Sequence, residues 1–308
     1  AQSREAVRMT EAIRLERLSK SYGKQRGVVD LDLEVHAGEV FGYLGPNGAG
    51  KTTTIRLLLD LIRPSSGRAW IFGLDCQAEP IAVHRRIGYV PGELALYPRL
   101  TGEQTIQHFA ALRGGADMAW VNQLAERLDF DLKRSAKAYS SGNKRKLGLI
   151  VALMARPELL LLDEASAGLD PLVQQAFYQI LRELRAAGTT VFLSSHNLPE
   201  VERVCDRVAI IREGKLVAVQ EISSLKAKAL RRIEIVFDNH VPVAEFEGLA
   251  GVRDVSVTDR RLVFTVQGSL DSIFKAAARH TVQNVISYEP SLEEVFLTFY
   301  EGEVPNAL

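Results

Sequence analysis

Eight consecutive residues constrain this chain more than any other part of its sequence. The pattern G-x-x-x-x-G-K-[ST] is matched in full by Gly45-Pro46-Asn47-Gly48-Ala49-Gly50-Lys51-Thr52. Residues 40–44 before it form a short apolar run, and residues 52–62 after it show the helical spacing of apolar side chains. A glycine-rich turn between a strand and a helix is the setting in which this pattern cradles phosphate groups. These flanks argue against the alternative, a glycine-rich turn that carries a lysine by chance.

The residue types in this loop suit a nucleoside triphosphate with Mg²⁺. Glycines let backbone N–H groups turn inward around phosphate oxygens, and the start of the following helix adds partial positive charge. Lys51 can reach the β- and γ-phosphates, and the Thr52 hydroxyl can ligate Mg²⁺. The sequence therefore predicts that residues 45–53, which end with Thr53, bind the nucleotide. Lys51 is expected to act in catalysis and Thr52 as a metal ligand.

A second motif combines an apolar run with two acids. Residues 159–162 are four leucines, and Asp163 and Glu164 follow them. A continuous apolar run is typical of a strand that is buried on both faces, and ligands bind at the carboxyl ends of such strands. We expect Asp163 to hold Mg²⁺, directly or through water, and Glu164 to orient and deprotonate the attacking water. The alternative is a strand that ends in a solvated acidic turn, and the phosphate-binding loop upstream argues against it.

Strand-like and helix-like segments alternate over about the first 220 residues. Strand patterns cover residues 13–18, 31–35, 40–44, 159–162, 190–194 and 208–211. Helical patterns cover residues 52–62, 103–112, 119–128, 144–154 and 171–187. The alternation predicts an α/β domain at residues 12–220, after a tail at residues 1–11, with a mostly parallel, covered sheet. The helical middle, at about residues 94–156, is expected to be an inserted helical subdomain.

The pattern changes after about residue 219. A linker helix is expected at residues 221–231, followed by a small α+β accessory domain at residues 232–308. Its strands and helices, in the ferredoxin-like order βαββαβ, are expected at residues 233–237, 243–249, 252–257, 262–266, 270–278 and 282–288. A last helix is expected from Ser291, where Glu294 completes a capping box. Its apolar face would consist of Leu292, Val295, Phe296 and Phe299.

Composition excludes several classes of protein. Hydrophobic residues make up 46% and charged residues 25% of the chain, a mix typical of folded domains and not of disordered ones. Lys plus Arg number 38, as do Asp plus Glu, so the chain has no net charge that would attract nucleic acid. With two cysteines, Cys76 and Cys205, a disulfide framework is excluded. We expect no transmembrane segment, because no stretch reaches the roughly 18 to 20 apolar residues that one needs.

Together with a third motif, these residues resemble a known family, the nucleotide-binding subunits of ABC transporters. Where that family has its signature L-S-G-G-Q, this chain has Tyr139-Ser140-Ser141-Gly142-Asn143. The resemblance covers about residues 12–220 and implies a P-loop NTPase fold of the ABC ATPase type that hydrolyses ATP with Mg²⁺. In the family the signature caps the γ-phosphate of the ATP held by the other protomer. The resemblance implies this role for Ser140 and Gly142, and an ordinary helix N-cap at Ser140 is compatible with it.

Further residues stand at positions that have roles in the family. His196, after the strand at residues 190–194, resembles the switch histidine that contacts the γ-phosphate, and Tyr22 resembles the aromatic residue that stacks on adenine. Gly168-Leu169-Asp170 resembles the D-loop, with Ala167 where a serine is usual. A structural or merely exposed side chain is the alternative for His196 and for Tyr22.

One departure from the family concerns its Q-loop. The family's glutamine should follow Tyr89-Val90-Pro91, but Gly92 and then Glu93 stand there. In the family that glutamine contacts Mg²⁺ or water and relays ATP occupancy to the membrane subunit, and glycine has no side chain for either task. We hypothesise that Glu93 supplies the missing oxygen ligand for the metal. The alternative is that Gly92 is a flexible hinge and that Glu93 faces solvent.

The resemblance also implies partners and a location. The Pro-Gly-Glu variant looks like one branch of the ABC-2 type exporter ATPases, whose small appended domain is similar to residues 232–308. Such a chain would work with a separate integral-membrane permease, and with a second copy of itself or a paralogous ATPase, at the cytoplasmic face of the cell membrane. Two protomers would sandwich two ATP molecules and power the export of drugs, lipids or other small molecules. The apolar loop at residues 94–100 would dock the permease, and the alternative for it is simple burial.

Three other interpretations fit the sequence less well. A non-transport ABC ATPase that acts on nucleic acid or ribosomes usually has two cassettes or coiled-coil insertions, whereas this chain has one P-loop, and no nucleic acid is expected as a partner. A regulatory ATP-binding subunit with weak turnover is suggested by Gly92 and by the irregular signature, although the residues expected to act in catalysis are all present. A GTPase is disfavoured, because Asn143-Lys144-Arg145-Lys146 lacks the aspartate of N-K-x-D.

Overall fold

The computed structural model describes residues 11–23, 25–228, 231–238 and 243–288. The chain divides into two compact units, with the boundary between Val219 and Gln220. Residues 1–10 of the expected tail and the expected last helix from Ser291 lie outside the described residues.

The first unit contains ten strands and seven helices among its described residues, and the last strand ends two residues past the boundary. The strands are β1 Glu11–Tyr22, β2 Gln25–His36, β3 Val40–Leu44, β4 Ser66–Ile71, β5 Leu74–Asp75, β6 Ile87–Val90, β7 Leu159–Asp163, β8 Thr190–Ser195, β9 Arg207–Arg212 and β10 Lys215–Glu221. The helices are α1 Lys51–Leu58, α2 Pro80–Arg86, α3 Gly102–Arg113, α4 Met118–Arg127, α5 Ser141–Leu153, α6 Pro171–Ala186 and α7 Leu198–Val204. One 3-10 turn covers Ala136–Ala138.

The central sheet of this unit has six strands in the order β10-β9-β3-β8-β7-β6. Strands β9, β3, β8, β7 and β6 pair in parallel. The expected parallel, covered sheet describes this part of the fold, and every residue of β3, β7 and β8 is buried. Because parallel strands point the same way, the carboxyl ends of β3, β7 and β8 meet at one edge.

A second sheet, in the order β2-β1-β4-β5, is antiparallel and was not expected from the sequence. β1 ends at Tyr22 and β2 begins at Gln25, and strands joined by so short a link can pair only antiparallel. The helix α1 lies between the two sheets, where its Ile55 and Leu58 share one apolar core with Leu15 of β1 and Phe192 of β8.

The helix after the glycine-rich loop is shorter than the sequence predicted. It was expected to reach residue 62, but α1 ends at Leu58. Asp60 adopts a left-handed backbone with φ 51°, which a helix cannot continue, and Pro64 follows within one turn. The other expected helices of this unit agree with the structure within a few residues at each end.

The second unit contains α8 Ile222–Lys228, β11 Arg231–Phe237, α9 Ala244–Glu247, β12 Val252–Thr258, β13 Arg261–Val266, α10 Asp271–Ala277 and β14 Val282–Tyr288. Its four strands form an antiparallel sheet in the order β12-β13-β11-β14. Numbered within the unit and read from the other edge, this is the order 4-1-3-2 that a split βαβ motif produces. Phe237, Phe246 and Phe264 are fully buried in a core of its own.

Both cysteines are buried thiols. Burial, with help from the neighbouring carboxylates of Asp75 and Asp60, raises the pKa of Cys76 to about 12. Burial likewise raises the pKa of Cys205 well above its ordinary value. Among the described residues, no helix is both long enough and apolar enough to cross a membrane.

Candidate active site

Three neighbouring strands bring the predicted motifs together. The glycine-rich loop follows β3, Asp163 ends β7, and His196 follows β8. The register aligns these ends, because Leu44 pairs with Ser195 and Asp163 pairs with Ser194. Motifs that are far apart in the sequence therefore share the carboxyl edge of the central sheet, where ligands bind in such folds.

Glycine is needed at two positions of the loop for different reasons. Gly50, the residue before α1, has φ 109°, a backbone that L side chains rarely adopt. Gly45 has no such angle, but a Cβ there would stand 2.4 Å from the carbonyl oxygen of Ile211. The loop can therefore form its tight turn only with these residues. Pro46, Asn47 and Gly48 are exposed at its tip, while Ala49 is buried.

Lys51 points back into the loop. Its ammonium donates to the carbonyl oxygens of Gly45 at 2.7 Å and Pro46 at 3.1 Å, and lies 3.3 Å from a carboxylate oxygen of Glu164. The side chain is only 5% exposed. A buried cation surrounded by three acceptors of this kind is well placed to meet the phosphate oxygens of a nucleotide in the loop.

Thr52 and Asp163, two of the three predicted metal ligands, are in direct contact. The Thr52 hydroxyl donates to Asp163 Oδ2 at 2.8 Å, and the Ser194 hydroxyl donates to Asp163 Oδ1 at 2.6 Å. Asp163 is buried, and each of its two carboxylate oxygens accepts one of these hydrogen bonds. The sequence does not predict Ser194 as a site residue, because it reaches Asp163 through the pairing of two strands that are separate in the sequence.

These groups fit Mg²⁺ in the way that nucleotide sites hold it. Carboxylate and hydroxyl oxygens are its preferred ligands, and it is commonly bound by one or two protein groups together with substrate phosphates. Among the described residues, no cluster of three or more His, Cys, Asp or Glu side chains could hold a metal by itself. A Cβ at Gly92 would stand 3.4 Å from Asp163 Oδ2, so the glycine leaves room beside this oxygen.

Glu164 faces a different set of partners from Asp163. One of its oxygens lies 3.3 Å from Lys51 Nζ and 3.1 Å from His196 Nδ1. Partial burial by itself would raise the pKa of Glu164, but the hydrogen bond with His196 and the charge of Lys51 outweigh it, so the pKa lies below the ordinary value. Glu164 is therefore an ionised carboxylate beside the predicted phosphate site, as a base that accepts a proton from water must be.

The predicted signature forms the beginning of α5. Ser140 is its N-cap, whose hydroxyl accepts from the Asn143 N–H at 3.2 Å, and it is exposed. A Cβ on Gly142 would stand 2.8 Å from the carbonyl oxygen of Gly168, so the start of α5 packs directly on the segment that resembles the D-loop. Tyr139, which replaces the usual leucine, packs on Phe130 with ring centroids 5.0 Å apart.

Two predicted site residues, Tyr22 and Glu93, are exposed and are not among the hydrogen-bonded residues described above. Tyr22 is 45% exposed at the end of β1, next to Gly27, whose carbonyl oxygen approaches Gly50. Its ring is therefore near the glycine-rich loop, where Thr53 begins the helix with Lys51 and Thr52. Glu93 is exposed, and within the described ranges its carboxylate has no hydrogen bond or ion pair with Asp163 or Thr52.

Comparisons with known proteins find relatives of this chain. A family model described as ABC transporter matches residues 28–167. A linearmycin resistance ATP-binding protein of Bacillus subtilis (strain 168) is 32% identical over 302 residues, which are 92% of this chain and 97% of that relative. A bacitracin transport ATP-binding protein of Bacillus licheniformis is 33% identical over 303 residues, which are 96% of this chain and 99% of that relative.

A solved structure described as the ATP binding subunit of an ABC transporter is 30% identical, with a TM-score of 0.64, and the match covers 70% of this chain and 92% of that one. The relatives align along almost their whole length, and the structural neighbour supports a P-loop NTPase fold of the ABC ATPase type. The alternative of an ATPase that acts on nucleic acid or ribosomes is not favoured by these matches. The chain therefore belongs to the ABC transporter family, as an ATP-hydrolysing subunit that powers a membrane transporter.

Proposed function

We propose that the chain powers the export of a small molecule, as one of two ATPase protomers that sandwich two ATP molecules. The observation that supports the site most is the pair of contacts at the sheet edge, Thr52 with Asp163 and Glu164 with both Lys51 and His196. The names of the two relatives refer to resistance in one case and to transport in the other, which supports a small molecule as the cargo.

Each ATP site would be completed by a second protomer. One protomer would contribute residues 45–53, Asp163, Glu164 and His196, with Tyr22 against the adenine. The other would contribute Ser140 and Gly142, which begin a helix of 13 residues. Backbone N–H groups at a helix N-terminus favour phosphate, and Ser140 is exposed there, so a second molecule can reach it. The partner would be a second copy or a paralogous ATPase.

Thr52 and Asp163 would hold Mg²⁺ together with the phosphates of ATP. When bound, the metal neutralises phosphate charge and polarises the group that is transferred. The chain's own residues would do the rest. Lys51 would bind phosphate oxygens in place of Gly45 and Pro46, and Ser194 would keep the Asp163 carboxylate oriented. Glu93 stays a predicted additional ligand. To bind the metal, its exposed carboxylate would have to turn toward Asp163.

Hydrolysis would be an in-line attack of water on the γ-phosphate. The Glu164 carboxylate would orient this water and accept its proton, and His196 would contact the γ-phosphate from the neighbouring strand end. Because the Glu164 carboxylate touches both Lys51 and His196, one oxygen connects the base to both of the groups that would meet the phosphate. Positioning and charge neutralisation supply most of the rate enhancement in such reactions.

A permease would dock on the loop between β6 and α3. Tyr97, Pro98, Arg99, Leu100 and His108 line an open, mostly apolar hollow of about 460 Å³ there. Tyr97 is 55% exposed, and its ring packs edge-on against His108 with centroids 5.4 Å apart. An exposed apolar hollow on a chain without a described membrane-spanning helix suits a helix of an integral-membrane partner, which would keep this chain at the cytoplasmic face.

The assignment of the base is tested by Glu164→Gln. Gln keeps the size of the side chain but cannot accept the proton, so we expect ATP binding to be retained, turnover to fall by about a hundredfold to ten-thousandfold, and an ATP-bound dimer to accumulate. Steady-state ATPase assays, nucleotide-binding titrations and size-exclusion chromatography with light scattering would measure these changes.

Glu126→Gln is the matched control, because Glu126 is an exposed glutamate on α4 outside the site. This variant should behave as the parent in all three assays. Turnover near that of the parent in Glu164→Gln would contradict the assignment of the base. An ATP-bound Glu164→Gln chain that stays monomeric at all concentrations would contradict the sandwich dimer.

A further inference from the structure

One arginine connects two of the motifs that the proposed function treats separately. Arg145 lies on α5, the helix that begins at the signature. Its guanidinium donates one hydrogen bond to the carbonyl oxygen of Pro91 at 2.6 Å and a second to that of Gly92 at 2.7 Å. These two carbonyls belong to the segment in which a glycine replaces the expected glutamine. Arg145 therefore holds the backbone of this segment at the point where it lacks a side chain.

The segment held by Arg145 lies against the proposed metal ligand. A Cβ on Gly92 would be 3.4 Å from Asp163 Oδ2, the oxygen that also accepts from Thr52. The backbone angle of Gly92 is not in the left-handed region, so other residues could adopt it. Because Gly92 has no side chain, it leaves space beside Asp163. The position of the Gly92 backbone determines how large this space is.

The guanidinium is also part of the electrostatic surroundings of the acids. Partial burial lowers the pKa of Arg145, while the carboxylates of Asp163 and Glu164 act in the opposite direction. An arginine keeps its charge under such conditions, and its planar fork suits two carbonyl acceptors at fixed positions. A lysine has no fork and could not make both bonds with the same geometry.

We propose that Arg145 is a positioning residue that fixes residues 91–93 beside Asp163 and links this edge of the site to the signature on the same helix. Arg145 follows Ser140 by about 7.5 Å along the helix axis. In the dimer of the proposed function, on which this inference rests, Ser140 would touch the ATP of the partner while Arg145 holds the segment beside the chain's own ATP. Because the helix is rigid, a displacement at one ATP site would then be coupled to a displacement at the other.

The first test measures the anchor without nucleotide. Arg145→Met removes the two hydrogen bonds and keeps a long apolar stem, so cleavage after the exposed Glu93 by a glutamate-specific protease should become about tenfold faster. Lys144→Met is the matched control, since it removes a charge from the adjacent position of α5, and it should leave the rate of this cleavage unchanged. Arg145→Lys, which keeps the charge, should resemble Arg145→Met.

The second test measures the effect at the proposed metal edge. In Arg145→Met, the Mg²⁺ concentration for half-maximal ATPase activity should rise about tenfold, while the KM for ATP at saturating Mg²⁺ changes by less than twofold. Mn²⁺ binding to the ATP-loaded chain, followed by electron paramagnetic resonance, should weaken to the same extent. Adding Gly92→Gln to Arg145→Met, which places a side chain beside Asp163, should recover most of the loss.

An unchanged rate of cleavage after Glu93 in Arg145→Met and in Arg145→Lys would overturn the anchor. Equal effects in Lys144→Met would overturn its assignment to Arg145. An anchor that is present but without effect on Mg²⁺ and Mn²⁺ dependence would overturn the link to the metal edge. The cleavage measurement needs neither ATP nor a dimer, so a failure of the proposed function, seen as a parent chain without turnover or ATP-dependent dimerisation, is distinguishable from a failure of this inference.

Discussion

At the scale of single residues, Asp163 and Glu164 are neighbours whose surroundings assign them different tasks. Asp163 is buried and accepts from two hydroxyl groups, which suits a fixed ligand. Glu164 has φ 51°, a left-handed backbone that costs energy for a residue other than glycine. The strand ends there, and the Glu164 side chain meets Lys51 and His196 instead of the partners of Asp163. One backbone angle thus separates the proposed ligand from the proposed base.

The ionisation of Glu164 should depend on its histidine partner. Its pKa is held below the ordinary value by His196 and Lys51 against the opposite effect of burial. His196→Ala removes the hydrogen bond and leaves burial in place, so the pKa of Glu164 should rise. The carboxyl carbon of Glu164, assigned by comparison with Glu164→Gln, would report this in an NMR titration.

The same pKa has a consequence for stability at low pH. The pKa of Glu164 is lower in the folded than in the unfolded chain. Glu164 therefore stabilises the folded chain fully at a pH above its pKa in the unfolded chain. This stabilisation is lost as the pH falls through its pKa in the folded chain. His196→Ala should shift that loss to higher pH. His36→Ala, at an exposed histidine of β2, should change neither the titration nor the stability curve. A titration of Glu164 that is the same in both variants would contradict the assigned cause.

At the scale of elements, the start of α5 packs on the segment before α6. Gly142 belongs to the first turn of α5, and Gly168 lies just before Asp170, the N-cap of α6. The 2.8 Å that separates a Cβ at Gly142 from the Gly168 carbonyl leaves no room for a methyl group. The glycine in the signature is therefore explained within one protomer, independently of any contact with a second one.

Gly142→Ala should consequently displace these two elements against each other. Overpacking of this kind costs about 1–3 kcal/mol, which denaturant unfolding followed by circular dichroism would measure. ATP binding to the monomer should stay near that of the parent, because residues 45–53 are not touched, whereas dimer formation and turnover should fall. Ser141→Ala, at the adjacent exposed position, is the control for stability and should unfold as the parent does. Parent-like stability of Gly142→Ala would contradict the clash.

The elements that the sequence predicted well are those with long periodic or fully buried runs. The strands β3 and β7 are recognisable because every residue in them is apolar except Gly42 and the final Asp163. Strand β6 was missed, because it has four residues and includes Gly88. A Cβ at Gly88 would stand 2.3 Å from the carbonyl oxygen of Ala152, so this glycine is required by a neighbour that is distant in sequence.

The same reasoning applies to the site. The residues of the glycine-rich loop and Asp163-Glu164 could be predicted because each motif is contiguous and has its own flanking strand. Ser194 and Arg145 could not, because their roles arise from tertiary contacts. Ser194 reaches Asp163 since β7 and β8 are adjacent in the sheet, and Arg145 reaches Gly92 since α5 packs on the end of β6.

At the scale of the whole molecule, the two units have separate apolar cores. The core that contains Phe192 joins both sheets of the first unit, and the core that contains Phe264 lies within the second. Each core is made of residues from its own unit. We therefore expect two unfolding transitions in calorimetry, one for each unit, since a cooperative transition reflects one contiguous core.

Two matched substitutions assign these transitions. Phe264→Ala and Phe192→Ala each remove a fully buried ring, at a cost of about 3–5 kcal/mol. Phe264→Ala should lower the temperature of one transition and leave the other, together with the ATPase activity, near that of the parent. Phe192→Ala should lower the temperature of the other transition. A single transition that responds equally to both substitutions would show that the units unfold as one.

The burial of both native thiols makes the chain a ready background for a site-specific reporter group. Reactivity requires the thiolate, and the raised pKa values of Cys76 and Cys205 keep these side chains protonated as well as covered. A cysteine substituted for Leu172, which is 77% exposed beside Asp170, would then be the position that a maleimide label reaches. Two protomers would carry one spin label each, so the opening and closing of the proposed dimer could be followed as a changing distance in a chain that keeps both of its own cysteines.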